Sequence, residues 1–210
     1  MSAAPNFNRV ARIYRWAEYL SLGPVLQRTR THFLPQLIDR RSALVLGDGD
    51  GRFLARLFQQ NPMLRALAVD TSDAMLHLLR KRCASPSLQT MQASALDVTP
   101  PSGTDLIVTH FFLDCLTQAE VDALVQRVAA HTQPGTLWLL SDFEVPRRPL
   151  IGLFAKFYIR ALYLAFGILT GLRVRSLPDP QASLVRTGFT RIARHEKVFG
   201  VIYTEIWCRR

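Results

Sequence analysis

Two hundred and ten residues, 49% hydrophobic and 20% charged, suit one globular domain with a single substantial core and argue against a disordered chain. The net charge of +10 is unevenly held, with +5 over residues 1–41, −4 over 42–146 and +9 over 147–210. A mildly acidic centre between basic flanks predicts an anionic partner, or one that lies on an anionic surface.

The cysteines Cys83, Cys115 and Cys208 are odd in number and share no metal-type spacing, so neither a disulfide scaffold nor a metal site is expected. The opening Met-Ser-Ala-Ala-Pro-Asn-Phe-Asn lacks the basic start and apolar stretch of a secretory signal, and a cytoplasmic location with reduced thiols follows.

Residues 1–40 read as a helical cap, and from 41 onward strand and helix patterns alternate. That alternation predicts a mostly parallel sheet covered on both faces. Strand one is Ala43–Leu46; its helix runs Arg52–Gln60, with Phe53, Leu54, Leu57 and Phe58 on one face and Asn61-Pro62 as the stop. Strand two is Leu64–Val69. Ser72 looks like an N-cap, with Asp73 in the first turn of a helix that ends near Arg82. Strand three lies within Leu88–Ala93, and strand four runs Asp105–Thr109 toward His110 and Phe111. Thr117-x-x-Glu120 is a capping-box signature for a helix with Val121, Leu124, Val125 and Val128 inward. Strand five is Thr136–Ser141. The runs Phe189–Val198 and Val201–Trp207, separated by Phe199-Gly200, predict an antiparallel hairpin.

The glycines after strand one carry the first functional signal. Ala43-Leu-Val-Leu-Gly-Asp-Gly-Asp-Gly51 stops an apolar strand abruptly and opens a helix whose free amides face outward, with Gly47, Gly49 and Gly51 supplying the turn. Asp70 ends the next strand nineteen positions after Gly51, where an acid can accept hydrogen bonds from ribose hydroxyls. The plain alternatives are a ligand-free strand-to-helix turn and a solvated strand-end acid. The spacing is G-x-G-x-G with Asp48 and Asp50 inside. Two carboxylates there repel a pyrophosphate but tolerate a cationic ligand that carries a sulfonium and an amino group.

On these blocks, together with Ala68-Val-Asp-Thr-Ser-Asp-Ala-Met-Leu76, Ala93-Ser-Ala-Leu-Asp97, Asp105–Asp114 and Pro134-Gly-Thr-Leu-Trp138, the chain resembles the class I S-adenosylmethionine-dependent methyltransferases over roughly residues 41–145. The resemblance implies an α/β, three-layer Rossmann-like fold. Its expected parts are a mostly parallel seven-stranded sheet, a C-terminal antiparallel hairpin, N-terminal helices and a helical insert before strand six. The segments are then 1–40 cap, 41–146 cofactor-binding core, 147–178 insert and 179–210 hairpin, all in one domain. It also implies S-adenosylmethionine as cofactor, held by Gly47, Asp48, Gly49, Asp50, Gly51, Asp70, Thr71, Met75, Leu96, Asp97 and His110. One departure stands out: many relatives carry an acid where Val45 stands, and Asp48, Asp50 or water are the candidates to replace it. Phe7–Gly23 is loosely similar to the opening helix of quinone-biosynthesis C-methyltransferases, in which the aromatic matching Tyr14 helps close the site; the alternative for Tyr14 is packing.

Arg147–Arg175 carries six basic and no acidic side chains in an apolar background. Lys156 and Arg160 fall near its middle, where each costs about 2.5–3.5 kcal/mol in a bilayer, so a surface-lying amphipathic helix suits it better than a span. The other reading is a cap over the substrate pocket. Thr109-His-Phe-Phe-Leu-Asp114 falls where the family faces the transferred methyl, and His110 is either the base that removes the acceptor's proton or a packing or cofactor-contacting side chain. Asp114 either orients it or caps the next turn. The Asn/Asp-Pro-Pro-aromatic motif of base N-methylation is absent, which disfavours nucleic acid. The expectation is methyl transfer to a hydrophobic small molecule (a quinone precursor, phenol or lipid-like acceptor) by a cytoplasmic protein that lies peripherally on the inner face of a membrane. The rivals are an RNA or protein methyltransferase and a non-catalytic binding protein.

Overall fold

The computed structural model describes residues 23–146, 152, 155 and 177–210. Its strands are β1 (Ser42–Leu46), β2 (Arg65–Asp70), β3 (Leu88–Gln92), β4 (Leu106–His110), β5 (Leu137–Phe143), β6 (Phe189–Lys197) and β7 (Ile202–Arg209). Its helices are α1 (Gly23–Arg30), α2 (Arg52–Gln60), α3 (Asp73–Cys83), α4 (Gln118–Ala130) and α5 (Pro180–Arg186). The strands form one sheet in the order β3-β2-β1-β4-β5-β7-β6, parallel except for β7, which runs antiparallel to both neighbours. This is the expected mostly parallel, seven-stranded Rossmann-like sheet with its closing hairpin.

Both faces are covered, which is why the central strands are continuous apolar runs. Ala43, Val45, Leu106, Val108 and Leu139 face Phe53, Leu54 and Leu57 of α2 and the turn Leu34–Leu37. Leu44, Leu46, Ile107, Trp138 and Leu140 face Val121, Leu124, Val125 and Val128 of α4 and Leu184 of α5. Local signals set the helix starts. The Thr117 hydroxyl accepts from the Glu120 amide while Glu120 reaches back to the Thr117 amide, and Ser72 accepts from the Met75 amide.

Strand ends differ from the sequence expectation where a neighbour extends the ladder. β2 takes in Asp70, which pairs with Gln92 of β3. β5 runs on through Asp142 and Phe143, because Tyr203 and Ile202 of β7 sit opposite them. The hairpin turn is a short 3-10 segment, Val198–Gly200, in which Val198 and Phe199 take φ of 51° and 56° and Phe199 is 77% exposed.

One buried ionic cluster ties β6 to β7. Glu205, fully buried, accepts from Arg191 and Arg194 and from the Trp207 indole. Arg194 also reaches Glu144 at 2.8 Å and Glu196 at 2.7 Å. Tyr14, and the insert apart from Gly152, Ala155, Leu177 and Pro178, lie outside the described residues. Among the described residues no helix is long and apolar enough to cross a membrane.

Candidate active site

The chain leaves β1 toward β2 on one side and β4 lies on the other, so the strand order reverses between β1 and β4. In open α/β sheets that switch point opens a crevice outside the carboxyl ends of the strands. The three glycines sit at its rim with φ of 68°, 62° and 78°, in the left-handed region where a Cβ is strained. Their surroundings separate them. A Cβ on Gly47 would fall 2.6 Å from the Phe112 ring, and one on Gly51 would fall 2.8 Å from Leu79, so both allow neighbouring elements to close in. Gly49 meets nothing within 4 Å. A side chain there would meet open space, so the backbone at Gly49 is uncovered by any neighbour.

The two loop acids are already engaged. The Asp48 carboxylate accepts from the Leu54 amide at 3.1 Å and so serves the start of α2, whose N-cap, Gly51, has no side chain to do it. Asp50 takes Arg52 at 3.0 Å and Arg82 at 2.8 Å, and Arg82 also donates to the Asp50 carbonyl. Arg52 thereby ties the loop to the start of α2, and Arg82 ties it to α3.

Asp70 stands beside this turn, where the Gly47 amide donates to the Val69 carbonyl at 3.1 Å. Burial pushes its carboxyl pKa up, against the opposing pull of hydrogen bonds from the Ser72 and Thr71 amides. Thr71 is exposed, and Met75 is buried in the first turn of α3. The turn after β3 brings Leu96, half-buried, and Asp97, exposed, to the same end of the sheet; both amides bond back to Ser94. Val45 is fully buried in the apolar layer with Val108 and Phe53, so that position contributes nothing polar.

His110 ends β4, 2% exposed, with its ring 4.5 Å from that of Phe53. Its Nδ1 lies 2.9 Å from the Ser141 hydroxyl, which in turn lies 2.9 Å from Thr204. With the Ser141 hydrogen given to Thr204, Nδ1 carries the imidazole proton and Nε2 holds a lone pair. Nε2 is buried and has no hydrogen-bond partner among the described residues. Burial first, and the Arg30 charge second, hold the imidazole well below its ordinary pKa, so it is neutral.

On the opposite face of the sheet lie two carboxyls that sequence reasoning did not pair. Asp142 of β5 accepts from the Phe143 amide at 2.9 Å and from the Asp114 amide at 3.2 Å; the two acids are 2% and 7% exposed. Asp114 accepts from the Cys115 amide and thiol. Burial raises Asp114 to about 6 and raises Asp142 well above the usual range, and the charge of Asp114 adds to the latter effect. The signal for Ser141, Asp142 and Thr204 was a polar break where apolar strands end. Nothing in one dimension says which polar residues meet.

Comparison with known proteins places this arrangement. Residues 44–137 match a family model described as a methyltransferase domain. No curated protein matches the sequence. Among solved structures, the chain is similar to the mitomycin 7-O-methyltransferase MmcR, with 17% identity over 98% of this chain and 61% of that one and a TM-score of 0.69. An O-methyltransferase family 2 protein from Planctomyces limnophilus, solved with apigenin, gives 17% identity over 95% and 62%, at a TM-score of 0.69. The N-methyltransferase NodS from Bradyrhizobium japonicum gives 13% over 88% and 97%, at 0.61. The chain spans less than two thirds of the length of the first two.

Proposed function

We propose that this chain, whose residues 44–137 match a family model described as a methyltransferase domain, is a class I S-adenosylmethionine-dependent methyltransferase that moves a methyl group from that cofactor to a small-molecule acceptor. The observation that carries the reading is Gly49, a left-handed glycine whose missing side chain leaves open space at the switch point, with Asp70 on the neighbouring strand tip. The crevice suits an adenosyl group: Gly49 offers backbone, Asp70 suits the ribose hydroxyls, and Leu96 and Asp97 suit the adenine. Thr71 and Met75 complete that wall. S-adenosylmethionine supplies an electrophilic methyl on a sulfonium, so the protein's work is placement in a dry pocket and handling of the acceptor's proton.

His110 is the residue for that proton. Its neutral ring, fixed by Ser141 and Thr204, presents the Nε2 lone pair, and the burial that holds its pKa well below the ordinary value keeps that lone pair free of a resting proton while making it a weaker base than an exposed imidazole. The acceptor class we favour is a hydrophobic phenol, quinol or lipid-like molecule. Its support is the apolar, acid-free run Arg147–Arg175 and the aromatics Phe111 and Phe143, whose rings stand 5.1 Å apart beyond β4 and β5. O- and N-methylation are both named among the similar structures. The exposed Phe199 adds a reason to expect docking on an anionic membrane, since the turn that carries it places Gly200 against Pro146, where the basic run begins.

The test is a titration with S-adenosylmethionine, S-adenosylhomocysteine and NAD, followed by transfer of labelled methyl to a panel of phenols, quinols and amines. A ligand at a hundred times its dissociation constant stabilises the fold by about 2.7 kcal/mol. Stabilisation by NAD alone overturns the reading. Cofactor binding with no transfer to any panel member favours a binding-only protein, and salt-sensitive transfer to RNA favours a nucleic-acid substrate. Sedimentation with anionic vesicles at low salt, reversed by added salt, checks the membrane component.

A further inference from the structure

The loop that follows β4 touches both halves of the crevice. At its start, Phe111 takes a φ of 51° and Phe112 packs on Gly47 closely enough to occupy the space of a Cβ. At its end, the Asp114 amide donates to Asp142 on β5. The loop is thus held at one point by an apolar contact on the first glycine and at the other by a carboxylate almost wholly removed from water.

We propose that Asp142, acting through Asp114, is a positioning residue that holds the 111–115 loop against Gly47 and thereby fixes the wall between the cofactor and the acceptor. The inference rests on the methyltransferase reading for its binding arm. Its first support is geometric: each Asp142 oxygen takes a backbone amide, Phe143 on its own strand and Asp114 on the loop, so one carboxyl joins strand and loop. Its second support is the company the pair keeps. Asp114 faces the Cys115 thiol, and Asp142 faces Tyr203 of β7. Glu144, just past β5, and Glu205 of β7 act on Tyr203, Gln181 of α5 bonds it, and Arg194 of β6 lies 4.8 Å over its ring. The charge of Asp114 adds to the burial that raises Asp142, so the two carboxyls act on one another as well as through the shared amide.

Amide hydrogen exchange and calorimetric titration of S-adenosylhomocysteine test this on the full chain. In Asp142→Ala the Asp114 and Cys115 amides should exchange at least tenfold faster while α3 and β2 stay protected, and affinity should fall about tenfold. Asp142→Asn keeps one acceptor oxygen where the carboxylate has two, so it can serve the Asp114 amide or the Phe143 amide but not both, and its loop exchange and affinity should fall between those of wild type and Asp142→Ala. It also serves if the alanine variant does not fold. Unchanged loop exchange in Asp142→Ala, or in Asp142→Asn where the alanine variant does not fold, overturns the proposal. Failure of the wild type to bind S-adenosylhomocysteine strikes the methyltransferase reading instead, and the exchange comparison still decides the latch.

Discussion

The two sides of the switch point solve the same problem by different means. On the β1–β3 side, polar groups work at helix starts and near water: Asp48 serves an amide six residues on, Asp70 one two residues on, and Asp50 pairs with the partly exposed Arg52 and with Arg82 of α3. On the β4–β7 side, polar groups are buried and meet between strands and the loop after β4: His110 with Ser141, Ser141 with Thr204, Asp114 with Asp142, Glu205 with Arg191 and Arg194. The first side is a backbone device that tolerates water. The second is a set of interior contacts in which each partner removed leaves another stranded.

The largest expected effect lies on the second side. Glu205→Ala removes the buried acceptor shared by Arg191, Arg194 and the Trp207 indole, and we expect a loss of about 3 kcal/mol, the low end for a buried pair because Arg194 keeps Glu144 and Glu196 while Arg191, 41% exposed, can rehydrate. Urea denaturation with an unchanged m value would measure it. Next comes Gly47→Ala. The added methyl meets Phe112 at 2.6 Å on a left-handed backbone, which should cost about 2 kcal/mol and weaken S-adenosylhomocysteine binding beyond detection by calorimetry.

Asp114→Asn should act in the opposite sense. A carboxyl whose folded pKa is raised contributes stability that is full below its ordinary pKa and is lost as pH rises through about 6. Removing the charge should therefore raise stability by on the order of 1–2 kcal/mol at pH 8 and leave it nearly unchanged at pH 4. Thermal melts at the two pH values decide this, and equal shifts at both would contradict it. The smallest effect belongs to the first side. Arg82→Ala breaks an ion pair whose arginine side chain is 40% exposed and should cost under about 1 kcal/mol, a cost that shrinks in 0.5 M salt.

This contrast also explains what the sequence could show. The glycine turn, Asp70, the Ser72 and Thr117 caps and the closing hairpin were legible because each rests on neighbours within a few residues or on a fixed periodicity. Asp142 and Glu205 were not. They look like ordinary strand-end and edge-strand acids until β7 is placed between β5 and β6, and that placement is a pairing over more than sixty residues. The engagement of Asp50 by Arg82 was hidden for the same reason, since only the packing of α2 on α3 brings them together.

The position of β7 has a consequence for biosynthesis. Until Ile202–Arg209 has left the ribosome, β5 presents a bare row of peptide groups, Ser141 lacks Thr204, and two arginines on β6 await their counter-ion. The nascent chain can bury the glycine turn early, yet the His110 end of the crevice waits for β7. A stalled or clipped chain would thus be a sticky intermediate with a half-made site, dependent on chaperone shelter at the open flank of β5.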